Sequence, residues 1–599
     1  MLASPFEPRA ESLLHDFVRA RGDHLMEGDH AFRFISWNIP NLLLIEDNVP
    51  FAEENPWRLP DRFEIADAFE SVRQMGGTVA RTYVISVLRT NDAPGTPRHV
   101  LGPGRFNEEA FRSFDEVLQT ANATGIRLII PLVDNWSWMG GRTEYARFRG
   151  KSKDAFWTDP QIIADFKQTI AFILNRTNTF TGVRYRDDKA ILCWETGNEL
   201  AAPAAWTREI AAFIKSCDTN HLVMDGVNAA RLHDESLAMP ETDLVTTHHY
   251  PGIKRPFAEL IRENWEKAKG KKPYDIGEFG FVNTRQMAAA LEAIRDTGVA
   301  GGLLWSLRFH NRDGGFYWHS EPHGGNQYKA FHWPGSTLDA PYDEIDLMAL
   351  VRKNAYAIRG MAAPPVPVPA PPKLLQLTDP AAISWQGSAG ASSYIVERAP
   401  KATGPWTIAG ADIDESFVQY RPLFADEGAS RNPSCYRVRA INRSGVSEPS
   451  NVAGPVAATH ATLVDELADF SKIYAREGEF EIKSRDCRQV KEDAHRAGGK
   501  AGGALIYRLP TTMEGFCVFV FFPGEVSDPV FAISDDGRTY RVVATTRESH
   551  YQGAGDYGYW RPVRYQDQGI QPGGKFLKIG LTGETQIGRV QIIHALPER

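Results

Sequence analysis

The feature that most constrains the fold is an alternation of eight short apolar runs with longer amphipathic stretches between residues 32 and 307. Most of the runs are continuously apolar, which is typical of parallel strands buried on both faces. The amphipathic stretches read as helices. One has Asn107 as a suitable N-cap and Gly125 as a stop, and another has Thr158 as the expected cap with a proline in its first turn. The runs are FRFISWN (32–38), GTVARTYV (77–84), IRLIIPLV (126–133), AILCWE (190–195), HLVMDG (221–226), DLVTTHHY (243–250), PYDIGEF (273–279) and GGLLWSL (301–307).

Eight strands joined by helical crossovers predict an α/β fold, a (β/α)₈ TIM barrel that occupies residues 1–360. The alternative is an open, doubly wound sheet. The dinucleotide-binding form of that sheet carries G-x-G-x-x-G after its first strand, and no such motif follows residues 32–38. The pattern therefore favours the closed barrel.

A proline-rich segment follows the predicted barrel. Six prolines fall between residues 364 and 372, so we expect residues 361–374 to form a semi-rigid polyproline spacer. Beyond it, short alternating strands and turns predict two β-sandwich domains, at 375–457 and at 458–599. The first resembles a fibronectin type III module in Trp385, Tyr394 and the stretch YRVRAINRSGVSEPSN, and the second is a possible carbohydrate-binding module.

Composition excludes several classes of function. The net charge is −8 and no run is rich in Lys or Arg, so neither nucleic acid nor an anionic membrane is an expected partner. No apolar run approaches the roughly 20 residues that span a bilayer. Five cysteines without C-x-x-C predict neither a disulfide framework nor a zinc site. The first residues do not read as an intact signal peptide, so we expect a secreted or periplasmic protein whose signal is absent from this chain, with the cytoplasm as the alternative.

The ends of the predicted strands carry polar and aromatic side chains. In a TIM barrel these C-terminal ends form the mouth where active sites lie. Two carboxylates, Glu199 and Glu278, come from the fourth and seventh strands and should face each other across the mouth. The residues at the ends are Arg81, Asp134, Asn135, Trp136, Asn198, Glu199, His248, His249, Tyr250, Glu278 and Trp305.

Two facing carboxylates suit the cleavage of a glycosidic bond. One must be protonated to release the leaving oxygen, and the other must be ionised to attack the anomeric carbon or activate water. Arg81 and a hydrogen bond from Tyr250 should keep Glu278 ionised. Glu199 must hold a proton, so we expect few cations near it.

Other residues at the mouth should bind the sugar. Asn198 can donate to a sugar hydroxyl beside the reacting carbon, and Trp305 and Trp136 can offer flat faces to sugar rings. Trp37 is a further candidate, with a core position as its alternative. Of the two neighbouring histidines, the spacing favours His248 for the site, and no third ligand is spaced to complete a metal site, so neither a metal nor another cofactor is expected.

These motifs resemble glycoside hydrolase family 5. The resemblance rests on NE after the fourth strand, H-x-Y after the sixth, GEFG at the seventh and a tryptophan at the eighth, and it covers roughly residues 30–360. The stretches PLVDNWSWMGGRTEYARFRG and FWTDPQIIADFKQTIAFILNRTNTFTGVRYRDDKAILCWETGNEL are most similar to β-mannanases and β-mannosidases. The resemblance implies a retaining hydrolase with Glu199 as the acid/base and Glu278 as the nucleophile. It implies supporting roles for Arg81, Asn198, His248, Tyr250 and Trp305.

Three departures from the family pattern affect the interpretation. Leu200 replaces the proline that often follows the acid/base, and Glu195 stands where an apolar residue is usual, so we expect it to pair with a cation. A long insert after the eighth strand, 308–344, could wall off the cleft and favour removal of terminal sugars over cleavage within a chain. The expected partner is a β-linked oligo- or polysaccharide, and the oligomeric state stays open. The alternatives are a hydrolase of β-glucan or another β-glycan and, in a different class, a non-catalytic carbohydrate-binding protein.

Overall fold

The N-terminal part of the chain is a closed barrel of eight parallel strands. The computed structural model describes residues 11–46, 57–317, 331–337, 343–417, 421–549, 560–569 and 573–597. Every strand overlaps one of the predicted runs, so the prediction of a TIM barrel is confirmed. The strands are β1 (Phe34–Ile39), β2 (Val79–Thr82), β3 (Arg127–Pro131), β4 (Ile191–Glu195), β5 (Leu222–Asp225), β6 (Leu244–His249), β7 (Tyr274–Phe279) and β8 (Gly301–Leu304).

Helices lie in the connections between the barrel strands, and another follows the last strand. They are α1 (Arg62–Gln74), α2 (Glu108–Thr124), α3 (Arg142–Phe148), α4 (Pro160–Asn175), α5 (Ala204–Cys217), α6 (Asp234–Ala238), α7 (Phe257–Ala268), α8 (Thr284–Asp296) and, after β8, α9 (Glu344–Ala357). Asn107 caps α2 and Gly125 ends it in the left-handed conformation, as predicted. The predicted cap of α4 is wrong by one residue. Asp159 accepts hydrogen bonds from the backbone of Gln161 and Ile162, because a residue directly before a proline at the first helical position is the one placed to cap.

One end of the barrel is closed by the chain's own N-terminal region. The strands Val18–Arg21, His24–Glu27 and His30–Ala31 form a small antiparallel sheet. Val18 and Leu25 pack with the first residues of several barrel strands, among them Phe34, Val79 and Leu222. The opposite end, where the strands finish, is therefore the mouth at which a substrate could enter.

The proline-rich segment does not separate the barrel from the C-terminal strands. Val366 packs in the barrel core. On one side Arg352 of α9 donates to the carbonyl of Pro364, and on the other Asn442 donates to the carbonyl of Pro367. The prediction of a spacer is wrong, because the segment has side-chain partners on both sides and holds them together.

The rest of the chain is rich in antiparallel strands. A two-stranded sheet pairs Lys373–Leu374 with Trp385–Gln386, and a five-stranded sheet follows it. The strands of the latter are Ser393–Ala399, Thr407–Ile413, Ser434–Asn442, Gly445–Val446 and Ala453–Val456. The next sheet contains Ala461–Asp465, Phe480–Lys483, Arg496–Gly499, Met513–Phe522, Thr545–Ser549, Arg561–Asp567 and Thr585–His594. The last contains Ala475–Glu477, Ala504–Arg508, Val530–Ser534, Arg541–Val542 and Phe576–Gly580.

Short elements complete the described structure. Two-residue strands pair Ile45–Glu46 with Trp57–Arg58, and Val100–Gly102 pairs with Arg105–Phe106. Four 3₁₀ turns within the described residues span Lys153–Trp157, Tyr185–Asp187, Glu415–Phe417 and Cys487–Val490. Across the same part of the chain, the helices are all too short or too polar to span a bilayer.

Candidate active site

Arg81 organises the polar cluster at the mouth. It lies on β2, is completely buried, and donates to four side chains through its guanidinium. Its Nε and Nη2 hold Glu195 at 2.7 and 3.0 Å, and its Nη1 lies 2.7 Å from Oε1 of Glu278. The remaining contacts reach Asn38 at 3.2 Å and Asn198 at 2.9 Å. Burial lowers the pKa of Arg81, but the two carboxylates outweigh it and the net pKa is raised, so the group stays cationic.

The end of β4 is fixed by backbone hydrogen bonds to both neighbouring strands. The Asn198 N–H donates to the carbonyl of Val133, and the Leu200 N–H donates to the carbonyl of Gly226. The close approach requires glycine, since a Cβ at Gly226 would lie 1.6 Å from the carbonyl oxygen of Gly197. Between these two anchors Glu199 adopts φ +50°, a conformation that costs a non-glycine residue of order 1–3 kcal/mol. The surrounding backbone thus holds this carboxyl group in one strained orientation.

Glu199 and Glu278 meet across the mouth with His248 between them. Nδ1 of His248 lies 2.9 Å from Oε1 of Glu199 and 3.4 Å from Oε2 of Glu278. One carboxylate oxygen of each acid and one ring nitrogen of His248 all lie within 4.8 Å of one another. The two carboxylates thus approach each other within the roughly 5–5.5 Å of retaining glycosidases, and well short of the roughly 6.5–9.5 Å of inverting ones.

Each of the two carboxylates has its own hydrogen-bond donors. Tyr250 donates to Oε2 of Glu278 at 2.6 Å, as the sequence predicted. The indole Nε1 of Trp136 donates to Oε2 of Glu199 at 2.7 Å. The ring of His248 is seated against Gly277, where a Cβ would lie 2.8 Å from its Nε2. The absence of a side chain at Gly277 therefore lets the imidazole fit between the two acids.

The electrostatic balance differs from the prediction made for the two acids. Burial raises the pKa of Glu278, and Arg81 and His248 offset this only in part. Burial also acts on Glu199, but hydrogen bonds from His248 and Trp136 outweigh it and lower its pKa. For His248 burial lowers the pKa, whereas the negative charges of Glu278 and Glu199 raise it above the ordinary value. The expectation that Glu199 lies away from cations is therefore wrong. His248, whose pKa is raised, is hydrogen-bonded directly to the carboxylate of Glu199.

Three buried residues without a predicted role belong to this network. Tyr83 and Asp134 contact Asn198, and Asn38 contacts Arg81. Nδ2 of Asn198 donates to Oδ1 of Asp134 at 3.1 Å and to the hydroxyl of Tyr83 at 3.2 Å. Tyr83 in turn donates to Asp134 at 2.9 Å, and burial raises the pKa of Asp134 to about 8. Both donor hydrogens of Asn198 are thus engaged here, so donation to a sugar hydroxyl would require an exchange of partners. The available signal was position, since Asn38, Tyr83 and Asp134 all stand at or just after strand ends.

The three tryptophans expected to contact sugar have different surroundings. Trp136 is 50% exposed at the rim. Trp305 is mostly buried at the mouth, with its ring centroid 6.0 Å from that of Tyr83. Trp37 is 0% exposed and packs against Phe331 in the barrel core, so its prediction as a substrate-binding residue is wrong. Its position on β1 turns the ring outward toward the surrounding layer rather than into the mouth.

Two secondary predictions agree with the structure. Glu195 pairs with a cation, Arg81. His248 rather than His249 belongs to the site, as expected: Nε2 of His249 lies 3.0 Å from the hydroxyl of Thr247, and its ring contacts Phe257 of α7.

The same cluster is the place where a metal ion could be considered. Glu199, His248 and Glu278 are close enough to share one. Arg81 and Tyr250 donate to the two oxygens of Glu278, so that carboxylate is already supplied with hydrogen-bond donors. The expectation of a metal-free site stays a prediction.

Comparison with known proteins gives the family. The chain matches the family described as "GH family 5 beta-mannosidase-like" over residues 16–289. Mannan endo-1,4-beta-mannosidase 7 of Arabidopsis thaliana is 35% identical over 311 residues, which cover 42% of this chain and 71% of the relative. Mannan endo-1,4-beta-mannosidase 1 of Oryza sativa subsp. japonica is 30% identical over 289 residues, which cover 44% of this chain and 62% of the relative.

A solved endo-1,4-beta-mannanase from Rhizomucor miehei matches 58% of this chain and 100% of its own, with 22% identity and a TM-score of 0.46. The chain spans 62% of the length of the rice relative and 71% of the Arabidopsis one. On the family match and the Arabidopsis relative, the chain belongs to the β-mannosidase-like group of glycoside hydrolase family 5.

Proposed function

We propose that the protein is a retaining glycoside hydrolase that cleaves β-mannosidic bonds in mannan or manno-oligosaccharides. The observation that carries the proposal is the placement of Glu199 and Glu278, which reach within 4.8 Å of each other across the barrel mouth. Family membership and the names of the relatives, both mannan endo-1,4-beta-mannosidases, support mannose as the sugar.

In the proposed mechanism Glu278 attacks the anomeric carbon while Glu199 protonates the departing oxygen. A covalent glycosyl–enzyme ester forms as the glycosidic bond breaks. Glu199 then takes a proton from water, whose oxygen displaces Glu278 and restores both side chains. Arg81 and Tyr250 hold Glu278 in place and stabilise its negative charge in the free enzyme.

The proton required by this mechanism is shared between Glu199 and His248. In the free enzyme the lowered pKa of Glu199 and the raised pKa of His248 favour the proton on the imidazole, 2.9 Å from Oε1 of Glu199. Entry of a glycosidic oxygen next to Glu199 favours its transfer to the carboxyl group. The alkaline limb of kcat/KM then gives the apparent pKa of the Glu199–His248 pair. This pKa should lie above the ordinary histidine value of 6.5.

The strands beyond residue 374 form, in this proposal, a fibronectin type III-like module at 375–457 and a second β-sandwich at 458–599. Trp385, Tyr394 and Tyr436 share one apolar core in the first unit, which supports a separate module. In the second unit, Leu505 and Val518 lie on different sheets yet belong to one core, which supports two packed layers.

The proposal is tested by measuring hydrolysis of mannan and of β-linked gluco- and xylo-oligosaccharides by wild type, Glu199→Gln and Glu278→Gln. The expected result is preference for the manno substrates and loss of turnover in both variants. The matched control is Glu397→Gln, since Glu397 is paired with Arg437 and Arg439 far from the mouth. Near wild-type turnover in either acid variant would overturn the assignment, and preference for glucan would favour the β-glucan alternative.

The product pattern decides between cleavage within the polymer and removal of terminal sugars. A ladder of oligosaccharides from long mannan indicates internal cleavage, and mannose alone indicates terminal release. Residues 318–330 and 338–342 of the insert expected to wall the cleft lie outside the described residues.

A further inference from the structure

The segment after β8 links the mouth to the units beyond the barrel. Trp305 lies at the mouth, and its backbone N–H donates to the carbonyl of Phe279, the residue after Glu278. The Leu307 N–H donates to the carbonyl of Asn38 at the end of β1. Three residues beyond Trp305 the chain reaches Arg308, whose side chain is buried.

Arg308 is held by a residue of the C-terminal unit. Its side chain is 1% exposed and forms an ion pair with Glu492, which is 2% exposed. The same guanidinium donates to Nε2 of His332 at 2.8 Å, and His332 lies 3.3 Å from Glu344 at the start of α9. Glu492 is 184 residues away from Arg308 in the chain, so the contact joins two units that fold from distant parts of the sequence.

A second buried contact joins the same segment to the unit at 375–457, called the middle unit below. Nδ1 of His310 lies 2.9 Å from Asp67 of α1, and its Nε2 lies 2.9 Å from Glu415. All three side chains are buried. Burial lowers the pKa of His310, but the two carboxylates outweigh it and raise its pKa to about 10, so the contact is ionic at neutral pH.

We propose that Glu492 and Glu415 are positioning residues, which fix the segment 305–310 and thereby Trp305, so that the two units beyond the barrel support one side of the active-site mouth from behind. The inference rests on the proposed function for its catalytic consequence. It assigns these units a fixed supporting role instead of that of tethered appendages.

The physical reason is the cost of separating the pairs. Removing one partner of a buried ion pair leaves a charge without compensation and is strongly destabilising. In a Glu492 or Glu415 variant, the unpaired charge of Arg308 or His310 would move toward water, and the segment would move with it. Because only two residues lie between Arg308 and Trp305, such a movement displaces the tryptophan at the mouth.

The test compares Glu492→Gln and Glu415→Gln in the full chain with Glu397→Gln, whose ion pairs lie within the middle unit alone. Hydrogen exchange is measured at the amides of Leu307 and Arg308, which donate to Asn38 and Phe331. We expect exchange there to rise at least about tenfold in both test variants and to be unchanged in the control. Exchange at wild-type rates in a folded test variant would overturn the proposal.

Kinetics with a manno-oligosaccharide give a second readout that general destabilisation does not imitate. Displacement of Trp305 should raise KM severalfold with a smaller change in kcat, whereas a merely less stable enzyme keeps its KM and loses active fraction. Equal KM in all folded variants contradicts the positioning role. If Glu492→Gln does not fold, Glu415→Gln decides the case through its separate contact.

The two proposals fail in different ways. A wild-type protein that hydrolyses no β-mannoside overturns the proposed function. The exchange measurement needs no substrate, so it supports or overturns the positioning role in either case.

Discussion

The barrel mouth and the junction behind it contain the same residue types in similar contact. Arg81, His248, Glu199 and Glu278 form the first cluster, and Arg308, His332, Glu344 and Glu492 form the second. The difference lies in access. The Glu199 side chain is 16% exposed beside a half-exposed Trp136, whereas every member of the second cluster is enclosed.

This difference shows that composition alone does not define a reactive site. At the mouth Glu199 is held in a strained backbone conformation, and its carboxyl group can be reached from outside. At the junction the carboxylates of Glu344 and Glu492 are enclosed and contact His332, Ser336 and Arg308. Ion pairs of the same residue types therefore support a reactive site at the mouth and a rigid contact at the junction.

The largest expected effect comes from neutralising one acid in each cluster. Glu278→Gln should reduce turnover by roughly 10⁴-fold or more, because the nucleophile is lost. Stability should change little, because Arg81 keeps its ion pair with Glu195 and burial already disfavours the charge of Glu278. Activity assays and urea unfolding measure the two quantities.

Glu344→Gln is the matched change at the junction and should act in the opposite way. Glu344 accepts from the backbone N–H groups of His332 and Ser336, so its neutralisation should lower the free energy of unfolding by about 1–3 kcal/mol and leave kcat of the folded fraction within a few-fold of wild type. A Glu344 variant that is stable but inactive would break the distinction between the two clusters.

The separate contact of His310 with Asp67 and Glu415 should make stability depend on pH. The folded pKa of His310, about 10, is above the ordinary 6.5, so the stabilising contribution of His310 is complete below pH 6.5 and is lost as the pH rises to 10. We expect His310→Gln to be less stable than wild type at pH 6 by a few kcal/mol, and the gap to narrow toward pH 10. Urea midpoints at several pH values measure this, and a gap that is constant with pH would show that His310 is not charged in the folded state.

The smallest effect is expected at Trp136. Trp136→Phe keeps an aromatic face but removes the N–H that donates to Glu199, so the carboxyl group becomes easier to protonate and the alkaline limb of kcat/KM should move up by less than about one pH unit. Trp136→Ala should show the same shift and in addition a higher KM. Identical KM values for the two variants would argue against sugar stacking on this ring.

The barrel and its mouth were predictable because both depend on local patterns. Most of the strands are continuous apolar runs, and barrel topology brings strand ends together whatever their distance in the chain. Placing Glu199 opposite Glu278 therefore needed no knowledge of side-chain contacts. The partner of Glu195 was predictable in kind, since a buried carboxylate requires a cation.

The junction was not predictable because its contacts have no local signature. Nothing near Arg308 indicates that its partner is Glu492. The proline-rich segment that predicted a spacer is instead hydrogen-bonded on both sides, through two of its proline carbonyls. Trp37 was misplaced because a tryptophan at a strand end can face either side, and only the register of the strand decides between them. The proton balance at Glu199 was missed because it depends on the orientation of His248 rather than on its identity.

The most direct test of the central claim is to identify the residue that becomes glycosylated. A 2-deoxy-2-fluoro-β-mannosyl fluoride slows release of the covalent intermediate in a retaining enzyme, so the adduct can be located by peptide mass spectrometry. We expect one fluoromannosyl group on the peptide that contains Glu278, and none in Glu278→Gln. Labelling of Glu199 or Glu195 instead, or turnover of β-mannosides with inversion at the anomeric carbon, would contradict the assignment of Glu278 as the nucleophile.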